Sequence, residues 1–406
     1  MGKSDATGLQ DYERRELAER VAYVVDAVRR RGDDALRDAL ERDELPIPER
    51  WRLRDEEIGD AIERVTAARL EELRTAQRDA MRFAQAQRGS IRDVEVPIND
   101  GLRRGLFHMP LASAALVVPR GAERCLDSVH VSIATARAAG VRRVVACASP
   151  DRGSARWCTL VAAMALGGVD EIHAITGAAA VAALAFGTET IDPVDLVVGP
   201  AQPAISEAKR RLFGERGIDL RAPTGDLLVI ADDSADADAL AEELLRAVAG
   251  GRGCRVTLIA TSSTLAARAT SAIAERAGAT TAAGSAGAAW RRDGSIRVVS
   301  SRRAACELAN RYAPERLELA VEDPRSYASA ITRSGSVYLG GGTALSEEPL
   351  VPGGGGMRSV RDLEALWIGR FMRQVPWHER VEPAGEASGG DGLASERRHP
   401  LFAPAR

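Results

Sequence analysis

The sequence predicts an α/β protein built on parallel sheets. Three observations carry that expectation. From Ala114 onward, short apolar runs alternate with helical stretches. The runs leave through Gly or Pro, as at Pro119, Gly121, Gly199 and Pro200. The alternation occurs as two series, one from Ala114 and one from Leu227, in a chain of 406 residues, long enough for two or three domains.

Residues 12–43 read as helix. Val21, Val24, Val25 and Val28 recur at helical spacing, and Arg31-Gly32-Asp33 interrupts the pattern before Ala35 and Leu36 resume it. Residues 55–88 read as a charged, Ala-rich pair of helices, and 97–110 as turns with short apolar pieces. Residues 114–119 (AALVVP) form the run of a buried strand, which leaves through Arg120-Gly121 toward a helix near 127–139. Residues 141–148 are the next strand and 154–166 the next helix. Residues 171–176 are strand-like, 178–186 are Ala-rich, and the strand at 195–198 ends in Gly199-Pro200. The second series has a strand at 227–231, a helix at 236–249 capped by Ser234 or Asp236, a strand at 255–260, and a helix at 264–277 capped by Ser262 or Ser263. Residues 383–398, rich in Gly, Ala, Ser and Glu, read as a linker or mobile end.

Composition narrows the function classes. Hydrophobic residues make up 45% and charged residues 28%, which excludes global disorder; aromatics are only 4%, so the cores must be built from Ala, Val, Leu and Ile. The net charge of −3 carries no basic excess and argues against a dedicated nucleic-acid binder. The five cysteines, Cys125, Cys147, Cys158, Cys254 and Cys306, are scattered and form no C-x-x-C, which points to free thiols in a reducing compartment. The N-terminal stretch lacks the apolar core of a signal peptide, Ala6 stands where a myristoylation signal needs Ser or Thr, and no apolar run approaches the ~18 residues of a membrane span. A cytoplasmic protein acting on a small molecule is expected, with neither membrane nor nucleic acid as partner.

Few motifs carry chemistry. The P-loop, the G-x-G-x-x-G fingerprint and the G-x-S-x-G elbow are absent. Gly177-Ala178-Ala179-Ala180 follows a strand and reads either as a helix start facing a pyrophosphate or as a tight turn. The four glycines Gly353–Gly356 read as a floppy loop. His108, His130, His173, His378 and His399 show no metal-ligand spacing. One segment stands out, Asn310-Arg311-Tyr312-Ala313-Pro314-Glu315-Arg316-Leu317-Glu318. Pro314 stiffens it and is expected to fix Glu315 at a helix start, as a general base or as a capping carboxylate paired with Arg316.

That segment resembles the N-x-x-A-P-E-H-L-E motif of the histidinol dehydrogenase family. Other pieces resemble it in the same order: 25–36 the opening helix, Val118-Pro119-Arg120-Gly121 a Y-V-P-G-G strand exit, Ala138-Ala139-Gly140-Val141 the next strand, 176–190 (TGAAAVAALAFGTET) the stretch G-G-A-Q-A-I-A-A-L-A-Y-G-T-E-T, and Val198-Gly199-Pro200 the V-G-P-G-N turn. The resemblance implies two incomplete Rossmann-like parallel-sheet domains with small terminal segments exchanged in a homodimer. Its expected layout is an N-terminal segment 1–20, a discontinuous first domain of 21–116 plus 226–360, a second domain 117–225, and a helical tail 361–406. It also implies oxidation of the amino alcohol histidinol to histidine in two NAD-dependent steps, with a zinc ion anchoring the substrate and a Glu-His pair moving protons.

Against that pattern the chain departs at the chemistry. Positions of the zinc ligands fall on Ala247, Gly250, near Gly342, and on 392–396, where only Glu396 offers a donor. The catalytic His position holds Arg316, whose guanidinium stays protonated. The substrate Ser position holds Gly225, and the cofactor-contacting Tyr, Gln and Asn positions hold Val117, Ala179 and Gln202. Three readings follow: an authentic histidinol dehydrogenase, which the missing ligands disfavour; a repurposed NAD-linked oxidoreductase acting on an alcohol or aldehyde without zinc; or a non-enzymatic homologue serving as a binding or scaffold protein. For the oxidoreductase, the expected catalytic residues are Glu315 and Arg316. The expected cofactor residues are Pro119, Gly121, Gly199, Pro200 and Gln202, and no metal ligand is expected.

Overall fold

A computed structural model describes residues 11–99, 101–120, 126–149, 154–200, 202–219, 226–249, 255–278, 284–341 and 366–380. The first helical stretch, α1 (Asp11–Arg42), is two arms joined at Gly32, whose φ of 52° and ψ of −127° break the helix. The arms fold back on each other: the Arg42 guanidinium on the second arm lies 5.3 Å from the Tyr23 ring centre on the first. The hinge is tied down by the Asp33 N–H donating to Glu189 Oε2 at 2.7 Å, with Trp51 Nε1 (3.0 Å) and Thr190 Oγ1 (2.8 Å) donating to the Asp33 carboxylate. Helices α2 (Asp55–Glu63) and α3 (Ala67–Ser90) follow, the latter capped by Thr66 accepting from the Arg69 N–H.

Strands β1 (Val94–Asn99) and β2 (Leu102–Pro110) form an antiparallel hairpin that overlaps the stretch 97–110 read from the sequence as turns with short apolar pieces. The chain then alternates as expected: β3 (Ser113–Val117), α4 (Leu126–Ala139), β4 (Arg143–Cys147), α5 (Ala155–Leu166), β5 (Glu171–His173), α6 (Gly177–Phe186), β6 (Leu196–Val198), α7 (Pro203–Leu212) and β7 (Gly217–Ile218). These five strands make one parallel sheet in the order β5-β4-β3-β6-β7. A second series runs β8 (Leu227–Ala231), α8 (Ala237–Ala249), β9 (Val256–Ala260), α9 (Ser263–Gly278), α10 (Gly284–Asp293), β10 (Gly294–Val298), α11 (Arg302–Tyr312), β11 (Arg316–Ala320), α12 (Pro324–Ala328) and β12 (Ser336–Leu339). Its strands form a second parallel sheet, β10-β9-β8-β11-β12. Numbered within each series, both sheets have the order 3-2-1-4-5, with a reversal between the first and fourth strands.

The central strands of each sheet are buried on both faces, so β3 and β8 read as continuous apolar runs. In β3, Ala114 and Leu116 face a core closed by α2 to α5, while Ala115 and Val117 face one closed by α1, α6 and α7. In β8, Leu227, Val229 and Ala231 face α8 to α10, while Leu228 and Ile230 face α11 and α12. This corrects the expected grouping of 21–116 with 226–360. The helices of 11–90 cover the sheet of 113–218, and a boundary at 116/117 would cut β3 itself. The second series supplies the helices for both faces of its own sheet and leaves no face for them to cover.

Among the described residues, a smaller unit comprises 92–99, 101–109 and 374–380. In it β13 (Met372–Arg380) joins the hairpin in a three-stranded sheet, order β1-β2-β13, where Phe107 stacks on Trp377 with ring centres 5.4 Å apart. Among the described residues, no helix is long and apolar enough to cross a membrane.

The hinge gives a direct test. A Cβ at Gly32 would lie 2.1 Å from Glu189 Oε2, and moving that carboxylate surrenders the Asp33 N–H. Gly32→Ala is expected to cost about 1–3 kcal/mol from backbone conformation alone, read as a lowered midpoint in urea unfolding. An unchanged midpoint would show that the arms do not need this hinge.

Candidate active site

Parallel α/β sheets bind ligands where strand order reverses, outside the carboxyl ends of the strands. In the first sheet that point lies between β3 and β6. Beyond β3 come buried Val118 and Pro119, then exposed Arg120; beyond β6 come Gly199 and Pro200. Thr176 Oγ1, at the exit of β5, donates to the Val118 carbonyl at 2.9 Å, and Gln202 Nε2 donates to the Arg120 carbonyl at 2.8 Å. Three strand exits are thereby laced together.

Gly199 is pinned from below. Its φ is +131°, and a Cβ there would fall 2.4 Å from the Val117 carbonyl oxygen, so only glycine fits. Its N–H donates to Asp219 Oδ2 at 3.0 Å, and its carbonyl accepts from Lys209 Nζ at 2.9 Å. Lys209 and Asp219 are themselves ion-paired and fully buried.

Above this edge sits a cavity of about 300 Å³. Its apolar walls include Val21, Val24, Ala178 and Ala179; its polar lining includes Arg20, Arg42, Arg120, Thr176 and Gln202. The sequence-predicted cofactor residues Pro119, Gly199, Pro200 and Gln202 do converge here, although Gln202 alone of them lines the cavity. Gly121 lies outside the described residues. Gly177 takes a φ of +76° and opens α6, a tight turn into a helix whose start lines the cavity. Sequence reasoning missed Arg20 and Arg42, and singled out Arg120 only for its backbone. The first two look like solvated helix charges, and only the break at Gly32 hints that 20 and 42 meet.

Glu315 and Arg316 belong to the other sheet, at the N-terminal edge of β11. Here the expected helix start is corrected. Ala313 takes the left-handed conformation (φ 48°, ψ 60°) and ends α11, and Pro314 has no N–H with which to continue a helix. Glu315 therefore enters a strand. The segment is held by the Gly335 N–H on the Pro314 carbonyl (3.0 Å), the Ser336 N–H on that of Glu315 (2.9 Å), and the Arg316 N–H on that of Asp226 (3.0 Å). Glu315 is 3% exposed. Strand alternation sends it and Arg316 to opposite sides.

Arg316 shares the α8 side with Glu318, where buried Glu243 hydrogen-bonds Glu318. Two carboxyl groups in contact cannot both ionise cheaply. Burial pushes Glu243 up to about 8, helped by the hydrogen bond and charge of Glu318 and opposed by Arg246 and Arg316. One turn further along α8 stands Ala247, a buried methyl at an expected zinc-ligand position. It offers no donor. Gly225, Gly250, Gly342, Glu396 and Gly353–Gly356 lie outside the described residues. Among the described residues no group of three or more His, Cys, Asp or Glu side chains is placed to hold a metal ion. Three of the histidines have other partners: His130 with Gln77 (2.9 Å), His173 with Glu171 (3.1 Å) and His108 with Asp93 (3.2 Å). Cys147, Cys158 and Cys306 are buried free thiols.

Two tests follow. Lys209→Met strands a buried carboxylate and is expected to cost about 3–5 kcal/mol; replacing Asp219 by Leu as well should restore most of the stability in the same unfolding assay. The carboxyl pair sets a pH dependence. With a folded-state pKa near 8 against an ordinary 4.5, Glu243 stabilises the fold fully below about 4.5, and that contribution falls away as pH rises to about 8. Across that window the melting midpoint of Glu243→Gln should vary less steeply than that of the parent; equal slopes would mean the pair holds no extra proton.

Comparison with known proteins agrees with this architecture. The family profile "Histidinol dehydrogenase" matches residues 9–353. A "Histidinol dehydrogenase homolog" from Shouchella clausii (strain KSM-K16) is 34% identical over 93% of this chain and 89% of its own length. A "Histidinol dehydrogenase" from Gluconobacter oxydans (strain 621H) is 37% identical over 80% of this chain and 76% of its own. The crystal structure of histidinol dehydrogenase from Elizabethkingia anophelis superposes with a TM-score of 0.78 at 22% identity, over 92% of this chain and 89% of that one, and so shares the fold. With sequence and topology in agreement over most of its length, the chain belongs to the histidinol dehydrogenase family.

Proposed function

We propose that the protein is an NAD-linked oxidoreductase that interconverts an alcohol and an aldehyde without zinc. The observation that supports this most directly is the cavity at the strand-order reversal of the first sheet, where Arg120, Gln202 and the starts of α6 and α7 meet. Its apolar floor and cationic rim suit a nucleotide cofactor. Gln202 and Arg120 would hold it, with Pro119, Gly199 and Pro200 supporting the sheet edge beneath the cavity. When bound, the nicotinamide supplies the hydride acceptor or donor.

The protein's own residues supply the proton chemistry. Glu315 is a carboxylate kept from bulk water, suited to take the hydroxyl proton as the alcohol is oxidised. Arg316 points to the other side of the strand and does not meet the same oxygen; it is a permanent cation suited to an anionic group elsewhere on the substrate. Arg316 replaces the proton-shuttling histidine of the family motif and the metal-ligand positions keep at most one donor, Glu396, so the activity proposed differs from histidinol oxidation. A cytoplasmic homodimer is the working arrangement expected from the family resemblance.

The test is a screen of alcohols with NAD and aldehydes with NADH, followed by nicotinamide absorbance. Glu315→Gln is expected to abolish turnover while leaving cofactor binding and melting behaviour intact. Full activity in that variant would reduce Glu315 to a structural carboxylate. A chain that neither turns over nor binds a dinucleotide would instead be the non-catalytic binding or scaffold protein.

A further inference from the structure

The cavity on the first sheet is lined by cations with one exception. Arg20, Arg42 and Arg120 line it, and Asp43 is the single carboxylate among them. Asp43 stands just past the last residue of α1, in a closed helix end. The Glu44 N–H donates to the Glu41 carbonyl at 3.0 Å and the Leu45 N–H to the Leu40 carbonyl at 2.9 Å, with Glu44 in the left-handed conformation (φ 53°). Leu45 packs against the core that holds Leu40, so the turn is anchored and the Asp43 backbone is fixed with it. A carboxylate does not suit this place for the sake of the helix, because the C-terminal end of the helix dipole is already negative. No neighbour relieves it either. Among the described residues the Asp43 carboxylate has no hydrogen bond or ion pair, although three guanidiniums share its cavity, and Arg42 beside it rides over the Tyr23 ring at 5.3 Å. It stands exposed on the cavity wall as an open acceptor.

A dinucleotide carries a group for that acceptor. In dinucleotide-binding sheets a carboxylate takes the 2′-hydroxyl of the adenosine ribose when that hydroxyl is free. A hydroxyl donating to a carboxylate makes a charge-assisted bond, stronger than a neutral one. The charges of the lining point the same way. Three guanidiniums and one carboxylate leave two positive charges, which match the two negative charges of a dinucleotide pyrophosphate. A phosphate monoester on the ribose would add about 1.5 to 2 negative charges at neutral pH and set them against Asp43. Arg120 and the starts of α6 and α7 serve the pyrophosphate from the sheet edge, which leaves the α1 wall to the ribose. Resting on the dinucleotide reading above, we propose that Asp43 binds the hydroxyls of the adenosine ribose and makes the cavity selective for NAD against NADP. The deciding carboxylate thus comes from α1, ahead of the sheet in the chain, and not from one of the strand exits that shape the rest of the cavity.

The experiment is calorimetric titration of the full chain with NAD, with NADP and with the NAD analogue that lacks the adenosine 2′-hydroxyl, repeated on Asp43→Ala. The parent is expected to bind NAD about tenfold more tightly than either of the other two. In Asp43→Ala, NAD affinity should fall about tenfold, the deoxy analogue should bind as NAD does, and NADP affinity should hold or rise. Removing an exposed negative charge from a helix C-terminus should leave the melting midpoint equal or higher, so lost affinity would not be lost fold. Titration of the parent with the deoxy analogue needs no variant: if it binds as tightly as NAD, the inference is overturned. NADP binding the parent as tightly as NAD, or NAD binding Asp43→Ala undiminished, overturns it too, and each of these leaves the dinucleotide reading intact. Failure of all three ligands to bind overturns the inference together with the reading beneath it.

Discussion

The geometry of the first sheet depends on one buried ion pair. Lys209 and Asp219 are both withdrawn from water, which costs several kcal/mol for each ion before any return. Both close on the same peptide units: Asp219 takes the N–H of Gly199, and Lys209 donates to the Gly199 carbonyl. Each charge is thus neutralised by the other and fixed by the backbone. The chain leaving β6 is set at one angle, with a glycine where no side chain fits. From that angle Gln202 reaches the Arg120 carbonyl and α7 starts at the cavity rim. Without this clamp the edge would be an ordinary loop; with it, three strand exits become a rigid frame.

The two sheets share a strand order but use different edges. The first keeps an open cavity beyond the carboxyl ends of its strands. In the second, the corresponding position is spanned by hydrogen bonds, with the Glu322 N–H on the Asp232 carboxylate and the Asp232 N–H on the Ala320 carbonyl. Its chemically interesting groups gather instead at the amino end of β11, where Glu315, Arg316 and the Glu243–Glu318 pair lie within a few residues of one another on β11 and the facing α8. The fold has been used twice, once as a cradle and once as a platform for acids.

The architecture was legible because parallel strands buried on both faces announce themselves as unbroken apolar runs, and Ala114–Val118 and Leu227–Ala231 do so plainly. The β1–β2 hairpin was not, because all of Val94–Asn99 is exposed and Pro97 breaks its pattern. Glu315 was placed correctly as a positioned carboxylate but on the wrong kind of element. Proline after a helix looks the same in sequence as proline opening one, and only the left-handed Ala313 distinguishes them. The sheet edge beneath the cavity was marked in sequence by glycine and proline at strand exits, whereas the arginines of α1 were invisible because their convergence is a tertiary consequence of one glycine. The Glu243–Glu318 contact could not be read at all, since the two carboxyls are brought together from elements far apart in the chain.

The tie at the Gly32 hinge also has a temporal meaning. Asp33 and Glu189 are 156 residues apart in sequence, so α1 cannot be locked in place until the stretch after α6 has been made and folded. Contacts between distant segments form late and slow the search for the native state. The cavity wall carried by α1 is therefore completed only when the first sheet is already assembled. A nascent or partly folded chain would present its cationic helix without a pocket, and ligand binding would report on complete assembly rather than guide it.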